Sequence, residues 1–405
     1  MSYVNSLLLV RLFTMLAEQM MVFLVPFYVY KLTGSVAASG LAFAVEFIPR
    51  LVGVAISPNV LNRWKETSTL RVLEGLKWCV LLAYIFLLTL FTEQNTAIVF
   101  PLIAGLFGFL AELAFPVLEK HLGYVSTHIS GTSKESIFSK QQSVDTVAMA
   151  LGPVISALLV GFASHVQMLI LFSILQFSSF ALLTLAMKSN QKKLAQIELP
   201  TAQEQKASLY QGLCLIRRER RLFEAFVIGF LLNLGLGILL LSSQDYLVKR
   251  LGVAGETFGL LLSLAGISCA ITLFYIDKIT KKVRLKTLST FCMLVSALIL
   301  VIIGTTGSFY VYCVMFILFF ISDNIFAVYI RTLRSALFDG KNLISVLGCM
   351  IVLFLLAFPC AGILAYFLGD CTVDITLPAI ALLIFVTAFI FKGIKYHENR
   401  ATHLS

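Results

Sequence analysis

The sequence predicts an all-α membrane protein with twelve transmembrane helices in two six-helix pseudo-symmetric halves and with both termini in the cytoplasm. Three observations support this fold class. Of the 405 residues, 59% are hydrophobic and 13% are charged, whereas soluble domains carry about 25% charged residues. Apolar stretches of the roughly 20 residues needed to cross a bilayer recur along the whole chain. One long polar segment divides them into two sets of six.

Twelve stretches are long enough to be membrane spans. In chain order they cover residues 6–30, 36–60, 70–92, 96–118, 141–163, 166–188, 222–247, 257–276, 286–305, 308–330, 343–368 and 374–393. The lipid core offers no hydrogen-bond partners to the backbone, so each stretch has to satisfy its own N–H and C=O groups. We therefore expect each stretch to form a helix.

Basic residues are distributed unevenly between the two sets of connecting loops. With both termini inside, 25 of the 31 Lys and Arg residues fall in the cytoplasmic loops, the central linker and the C-terminal tail, against three on the opposite side. Positive loops stay in the cytoplasm, which fixes this orientation. The anionic lipid bilayer then accounts for the net charge of +10, and no nucleic-acid partner is expected.

The polar segment at residues 189–221 separates two predicted halves, 1–188 and 222–405, and is itself predicted to be a cytoplasmic linker. The same features recur in each half. A basic loop follows the second span of each, and Gly152-Pro153 in the fifth span has a counterpart in Pro359 of the eleventh. Two related six-helix halves are typical of secondary transporters, whose substrate site lies at the interface between the repeats.

The first two spans carry a recognisable pattern. The run from Ala17 to Ser35 contains an acidic residue, an aromatic stretch and then Leu-Thr-Gly-Ser, and Ile48-Pro49-Arg50 follows it. This pattern resembles the major facilitator superfamily, and in particular its drug and siderophore exporter branch, which includes enterobactin exporters and macrolide efflux proteins. The gating-loop motif of the family usually reads G-x-L-A-D-R. Here Asn62 stands where Asp is expected, before Arg63, and the second copy retains Asp277 and Lys278.

The resemblance implies a function, a cellular location and a set of ligands. It implies the major facilitator fold, spans 1, 4, 7 and 10 around the substrate, and alternating access. It also implies proton-coupled efflux of a small amphipathic or carboxylate-bearing molecule, siderophore-like or drug-like. Gly152-Pro153 is similar to the fifth-helix motif of proton-coupled antiporters. We expect a monomer in a bacterial inner membrane, with a small-molecule substrate and protons as ligands and with no cofactor.

Ionisable residues inside the spans are the strongest candidates for function. A charge at the bilayer centre costs about 2.5 to 3.5 kcal/mol on insertion scales, so such groups are rarely kept without a role. Glu18 lies near the midplane, about 18 Å into the first span at 1.5 Å per residue. Glu46 and Arg50 are four residues apart and share a helix face. They form an internal ion pair, or Arg50 lies beside Glu18, and the sequence leaves both possibilities open.

The predicted substrate-binding or proton-binding residues lie mainly on the spans that line the cavity in the family. They are Glu18, Gln19, Glu46, Arg50, Glu112, Asn233, Asp323 and Asn324. On the first span, Phe23, Phe27 and Tyr30 share one helical face and are candidates for substrate contact. Glu74 with Lys77, three residues apart, and Asp145 are more typical of gate or loop-anchoring charges.

Three other functions remain open at this stage. A ferroportin-like exporter of divalent metal such as iron shares the two-half fold and an acidic position in the first span, although the predicted spans hold no histidine and we assign no metal site. A membrane enzyme is disfavoured because the chain has no P-loop, HExxH or GxSxG motif. A non-transporting sensor derived from a transporter is the third.

Overall fold

The structure, a computed structural model, describes most of the chain. The described residues are 3–63, 66–88, 93–128, 134–160, 163–191, 194, 209–254, 257–276, 279, 282–338 and 340–402. Throughout these ranges the chain is helical apart from short connections, and they contain no β-strand.

The described part of the chain forms twelve long helices and one short one. They are α1 (Tyr3–Thr33), α2 (Val36–Arg63), α3 (Glu66–Leu88), α4 (Glu93–His128), α5 (Lys134–Val160), α6 (His165–Ser189), the short α7 (Leu209–Arg218), α8 (Arg220–Asp245), α9 (Thr257–Phe274), α10 (Leu285–Thr305), α11 (Phe309–Leu337), α12 (Gly340–Leu368) and α13 (Thr372–Thr402). A π-helical turn, Tyr246–Arg250, follows α8, and a 3-10 turn, Gly369–Cys371, precedes α13.

The twelve long helices correspond to the twelve predicted spans, so the predicted all-α membrane fold is confirmed. Eight segments of the described residues are long and apolar enough to cross a bilayer, and α5 and α9 contain shorter apolar runs. The charged helix α3 is not among them, because it includes Glu66, Arg71, Glu74 and Lys77. Several helices extend past their apolar stretch. The clearest case is α4, which continues to His128, because helical hydrogen bonding persists where the side chains become polar.

The chain divides into two compact units. Unit 1 comprises Met1–Gly34, Leu41–Lys206 and Phe258–Gly266, and unit 2 comprises Ser35–Gly40, Ala207–Thr257 and Ile267–Ser405. The predicted halves differ from these units in the short segments 35–40 and 258–266, and the linker at 189–221 remains a prediction.

The same helix pairs recur inside each unit. In unit 1, α1 packs against α5 and α6, while α3 packs against α4 and α6. In unit 2, the corresponding helices repeat the pattern: α8 packs against α12 and α13, while α10 packs against α11 and α13. This repetition is the structural counterpart of the internal echo in the sequence, and it is the arrangement expected of two pseudo-symmetric six-helix halves.

Local sequence signals explain where several helices begin and end. Gly34 has φ +64° and donates its N–H to the carbonyl of Tyr30, which is a left-handed cap at the end of α1. Ser164 and Gln167 form a capping box at the start of α6, each side chain accepting from the other residue's backbone N–H.

Glu66 anchors the start of α3 to the end of α4, outside the predicted span. Lys120 Nζ lies 2.8 Å from one carboxylate oxygen of Glu66 and His121 Nδ1 lies 3.4 Å from the other. Burial by itself raises the pKa of Glu66, but hydrogen bonding and charge from His121 and Lys120 outweigh burial and hold the pKa below its usual 4.5.

Candidate functional site

A single buried arginine lies between two carboxylates in unit 1. Arg50 Nη1 donates to Glu18 Oε1 at 2.6 Å, and Arg50 Nη2 donates to Glu46 Oε1 at 3.0 Å. All three residues are almost fully buried, with 2%, 5% and 0% of their surfaces exposed for Arg50, Glu18 and Glu46. The two alternatives left open by the sequence are therefore both realised, since Arg50 pairs along α2 and also with α1.

The path of Arg50 depends on a glycine in α4. A Cβ atom at Gly108 would lie 2.4 Å from Arg50 Nε and 2.5 Å from Cζ, so any larger residue would obstruct the guanidinium. The ring of Phe47 lies beneath the same guanidinium, with Cζ 5.3 Å from the ring centroid, within range of a cation–π contact. Gly108 is a residue of this candidate site that the sequence analysis missed.

Glu112 lies one helical turn beyond Gly108 on the same face of α4. Its Cβ would be 3.2 Å from a Cβ placed on Gly53, so the glycine lets α2 approach this carboxyl group. Glu112 interacts electrostatically with Glu18, Arg50 and Arg11. Within the described part of the chain, however, no direct hydrogen bond or ion pair reaches its carboxyl group.

Arg11 forms a second ion pair in unit 1, between α1 and α5. Its Nε lies 2.6 Å from Asp145 Oδ1, which joins α1 to α5. Its guanidinium also lies over the ring of Phe115, 4.5 Å from the centroid. Asp145, predicted to be an anchoring charge, is thus held by a cation that the sequence analysis did not assign to it.

Glu74 differs from Glu112 in that its carboxylate accepts several hydrogen bonds. Lys77 Nζ donates to Oε1 at 2.6 Å, while Gln176, Thr14 and Ser179 donate to Oε2 at 2.6, 3.0 and 3.0 Å. These donors come from α1, α3 and α6. A carboxylate with this many partners is stable in its charged form and serves to join the three helices.

Among the buried and half-buried charges in the described spans of unit 1, acidic groups outnumber basic groups. They are five carboxyl groups, on Glu18, Glu46, Glu74, Glu112 and Asp145, and three cations, on Arg11, Arg50 and Lys77, whereas Arg71 and Lys188 at the span ends are exposed. Lys77 and Arg11 each neutralise one carboxylate. Arg50 is shared by two carboxylates, and Glu112 is left without a direct partner. If every group were ionised, two negative charges would remain uncompensated, which is costly in a low-dielectric interior.

The contact between α1 and α5 is close at the residue next to Glu18. A Cβ atom at Gly152 would lie 2.5 Å from the Cβ of Gln19, and Ser156 Oγ donates to the carbonyl of Met20 at 3.2 Å. The Gly152-Pro153 motif therefore brings α5 against the helix turn that carries Glu18 and Gln19. On the same helix, the rings of Phe23 and Phe27 stack with centroids 5.6 Å apart.

The candidates in unit 2 are polar but carry little charge. Asn233 and Asn324 each donate from Nδ2 to a carbonyl of their own helix, on Gly229 at 2.8 Å and on Phe320 at 2.9 Å. Asn324 Nδ2 also lies 3.5 Å from Cys269 Sγ. Asp323, half-buried in the middle of α11, has no ion-pair partner among the described residues.

The predicted gating residues remain a prediction. Asn62 and Arg63 are the last two residues of α2, and their side chains lie outside what the structure describes. Asp277 and Lys278 lie outside the described residues. The structure therefore brings together Glu18, Glu46, Arg50 and Glu112, with Gln19 the next residue along α1, and places Asn233, Asp323 and Asn324 in unit 2.

Comparison with known proteins identifies the family. A sequence profile of the Major Facilitator Superfamily matches residues 7–338. No protein among those with curated functions matches the chain.

Solved structures share the fold at low sequence identity. The nucleoside transporter NupG is similar with a TM-score of 0.66 and 14% identity over 97% of this chain and 99% of that one. A bacterial homologue of the iron transporter ferroportin gives 0.69 and 17%, covering 96% and 98%. A POT family transporter in complex with a thioalcohol-conjugated peptide gives 0.69 and 14%, covering 96% of both chains. At these identities the similarity extends to the fold.

Proposed function

The chain belongs to the Major Facilitator Superfamily, and on this basis we propose that it is a proton-coupled secondary transporter. Its substrate in this proposal is a small amphipathic or carboxylate-bearing molecule, siderophore-like or drug-like, exported by alternating access across a bacterial inner membrane. Export and substrate class follow from the resemblance of the first two spans to the exporter branch. Proton coupling rests on the site itself.

The observation that carries the proposal is the surplus of carboxyl groups in unit 1. Two carboxyl groups lack a cation of their own: buried Glu18 shares Arg50 with Glu46, and half-buried Glu112 has no ion pair among the described residues. Binding a proton or a cationic ligand relieves the cost of their charge. A group that is protonated in one state of the transport cycle and releases its proton in the other couples transport to the proton gradient. Glu18 and Glu112 are the proposed proton-binding groups.

Arg50 couples the protonation states of these two carboxyl groups. One guanidinium cannot neutralise Glu18 and Glu46 together with the nearby Glu112, so loss of a proton from one carboxyl group changes how Arg50 is shared. Glu46, fully buried on the same helix as Arg50, is the constant partner in this scheme. Glu18 and Glu112 compete for electrostatic stabilisation by the same guanidinium of Arg50.

The polar residues of unit 2 suit recognition of an uncharged or weakly charged group. Asn233 and Asn324 use their amide nitrogens on their own helices, so each keeps an oxygen that can accept a hydrogen bond. A substrate bearing hydroxyl or amine donors fits this pattern.

The test is flux in proteoliposomes with an imposed pH gradient, using a panel of siderophores, drugs and divalent metals. Glu18→Gln and Glu112→Gln should abolish accumulation driven by the pH gradient. They should leave substrate counterflow, which needs no net proton movement, largely intact. Asp370→Asn is the matched control, because it removes a carboxylate from an exposed pair with Lys249 and should change neither measurement.

The result that contradicts the proposal is equally specific. If both amide variants accumulate substrate with the same dependence on the pH gradient as the wild type, these carboxyl groups do not couple protons. Loss of both counterflow and accumulation, with the protein still folded, assigns the residues to substrate binding instead.

Metal export is the second candidate, and one contact in unit 2 favours it. Cys269 Sγ accepts a hydrogen bond from Asn324 Nδ2 at 3.5 Å and lies within electrostatic range of Asp323, which brings a thiol, a carboxyl group and an amide side chain together. Such donors bind divalent transition metals, although no group of three or more His, Cys, Asp or Glu is arranged for a metal among the described residues. Metal flux that is lost in Cys269→Ser would favour this function.

A further inference from the structure

Unit 2 contains a cavity of about 370 Å³ that none of the proposed transport steps uses. It lies where α8 and α10 begin, beside the later turns of α11 and near Phe391 of α13. The predicted orientation puts these helix ends at the cytoplasmic surface of the bilayer.

The charges around the cavity favour an anion. Three cations line it, Arg220, Arg221 and Lys286, against two carboxylates, Glu219 and Glu224. The surplus of one positive charge matches a single phosphodiester. Because α8 and α10 both begin here, the positive ends of their helix dipoles add to the same field.

One of the cations is fixed and two are free to adapt to a ligand. Arg220 Nη2 donates to the carbonyl of Phe391 at 2.7 Å, and its guanidinium lies over the ring of Phe391, 5.8 Å from the centroid. Arg221 and Lys286 are exposed at the surface of the protein. Arg220 therefore holds the end of α13 against α8, while the two exposed cations can close over a headgroup.

The deeper walls of the cavity are apolar. Ala225, Ile228, Met293 and Phe326 are all buried and line it below the charged residues. An amphipathic cavity at the depth of the lipid headgroups, basic above and apolar below, matches a molecule with an anionic head and a hydrocarbon body. Basic pockets between transmembrane helices on the cytoplasmic side bind the headgroups of anionic lipids.

We propose that this cavity in unit 2 binds the phosphodiester headgroup of an anionic phospholipid from the inner leaflet. The bound lipid joins the starts of α8 and α10 to the end of α13. Free phosphate and soluble phosphodiesters share the anionic chemistry but do not use the apolar walls. The lipid is therefore expected to bind far more tightly than its soluble headgroup.

The experiment titrates the full-length protein in detergent with phosphatidylglycerol and follows the midpoint of thermal unfolding, since a ligand of the folded state raises it. Phosphatidylcholine, inorganic phosphate and glycerophosphoglycerol are titrated in parallel. The test variant is Arg221→Gln with Lys286→Gln. Its matched control is Arg217→Gln with Lys282→Gln, which removes two exposed cations outside the cavity lining.

The expected result is saturable stabilisation by phosphatidylglycerol alone. The apparent dissociation constant should rise about thirty-fold in the test variant and should stay within about two-fold in the control. Equal weakening in both variants would overturn the proposal in favour of general surface attraction. Equal stabilisation by inorganic phosphate or glycerophosphoglycerol would overturn the assignment to a lipid.

A second variant leaves the charges in place. Thr290→Trp adds bulk at an exposed position on the cavity wall and should abolish the effect of phosphatidylglycerol. If the charge variant does not fold, this substitution decides the matter, because undiminished lipid binding in Thr290→Trp would exclude the cavity as the site.

Discussion

Substitution of Gly108 by alanine should displace Arg50 from its two carboxylates. The added methyl would lie 2.4 Å from Nε and 2.6 Å from Cγ of Arg50, whereas carbon contacts in proteins are optimal at about 3.5 to 4.0 Å. The side chain therefore has to move by about 1 Å or more, and the hydrogen bonds to Glu18 and Glu46, at 2.6 and 3.0 Å, cannot both survive.

The magnitude follows from two opposing effects. Breaking a buried ion pair costs about 3 to 5 kcal/mol, because an uncompensated charge is left behind. Replacing glycine by alanine inside a helix contributes about 1 kcal/mol in the other direction. Gly108→Ala should therefore lower the free energy of unfolding by about 2 to 4 kcal/mol.

Thermal unfolding in detergent micelles measures the loss of stability, and pH-driven flux in liposomes measures the effect on transport. Gly348→Ala in α12 is the control, since its methyl would meet only Leu209 Cδ2 at 3.6 Å, an ordinary contact. The control should be as stable as the wild type or slightly more so. If Gly108→Ala is as stable and as active as Gly348→Ala, Arg50 does not pass over α4 as described.

Three further predictions concern unit 1 and the linker helix α7. Glu74→Gln should destabilise the protein by about 3 to 5 kcal/mol by leaving Lys77 buried without its ion pair, and adding Lys77→Met should recover much of the loss in a thermal melt. Because the pKa of Glu66 is depressed, its contribution is present above pH 4.5 and is lost as the pH falls through the folded pKa, so Glu66→Gln should flatten the acid limb of a stability profile. Gly212→Ala would place a methyl 2.1 Å from the carbonyl oxygen of Ser345, so hydrogen exchange across α7 should accelerate. An unchanged exchange rate there would show that α7 does not pack closely on α12.

The fold was accessible from the sequence because lipid imposes simple rules. Length, apolar composition and the asymmetry of basic residues predict twelve spans without any knowledge of packing, and α3 is found despite its charges. The short helix α7 was not predicted, because residues 209–218 form an amphipathic run too short to span a bilayer and lie within a segment interpreted as a linker. The close contact of its Gly212 with Ser345 of α12 can be recognised only from the folded structure.

The site could be predicted only in part. The four-residue spacing of Glu46 and Arg50 predicts a shared face, but the contact of Arg50 with Glu18 depends on how α1 lies against α2. Arg11 is a charge within the first span, yet nothing local in the sequence connects it to Asp145, 134 residues later. Gly108 gave no signal beyond being a small residue in an apolar helix, although such residues permit close approach between membrane helices.

The contrast between Glu74 and Glu112 supports the proposal that Glu18 and Glu112, rather than Glu74, bind the transported proton. Both lie inside spans of unit 1, but Glu74 accepts from four side chains on three helices, and protonation would forfeit most of those bonds. Glu112 has no comparable bonds to lose, and Glu18 shares its one cation with Glu46. Protonation therefore disrupts more side-chain hydrogen bonds at Glu74 than at Glu18 or Glu112. Single substitutions of the three residues should therefore give two phenotypes. Substitution of Glu112 or Glu18 should abolish proton coupling, and substitution of Glu74 should lower stability.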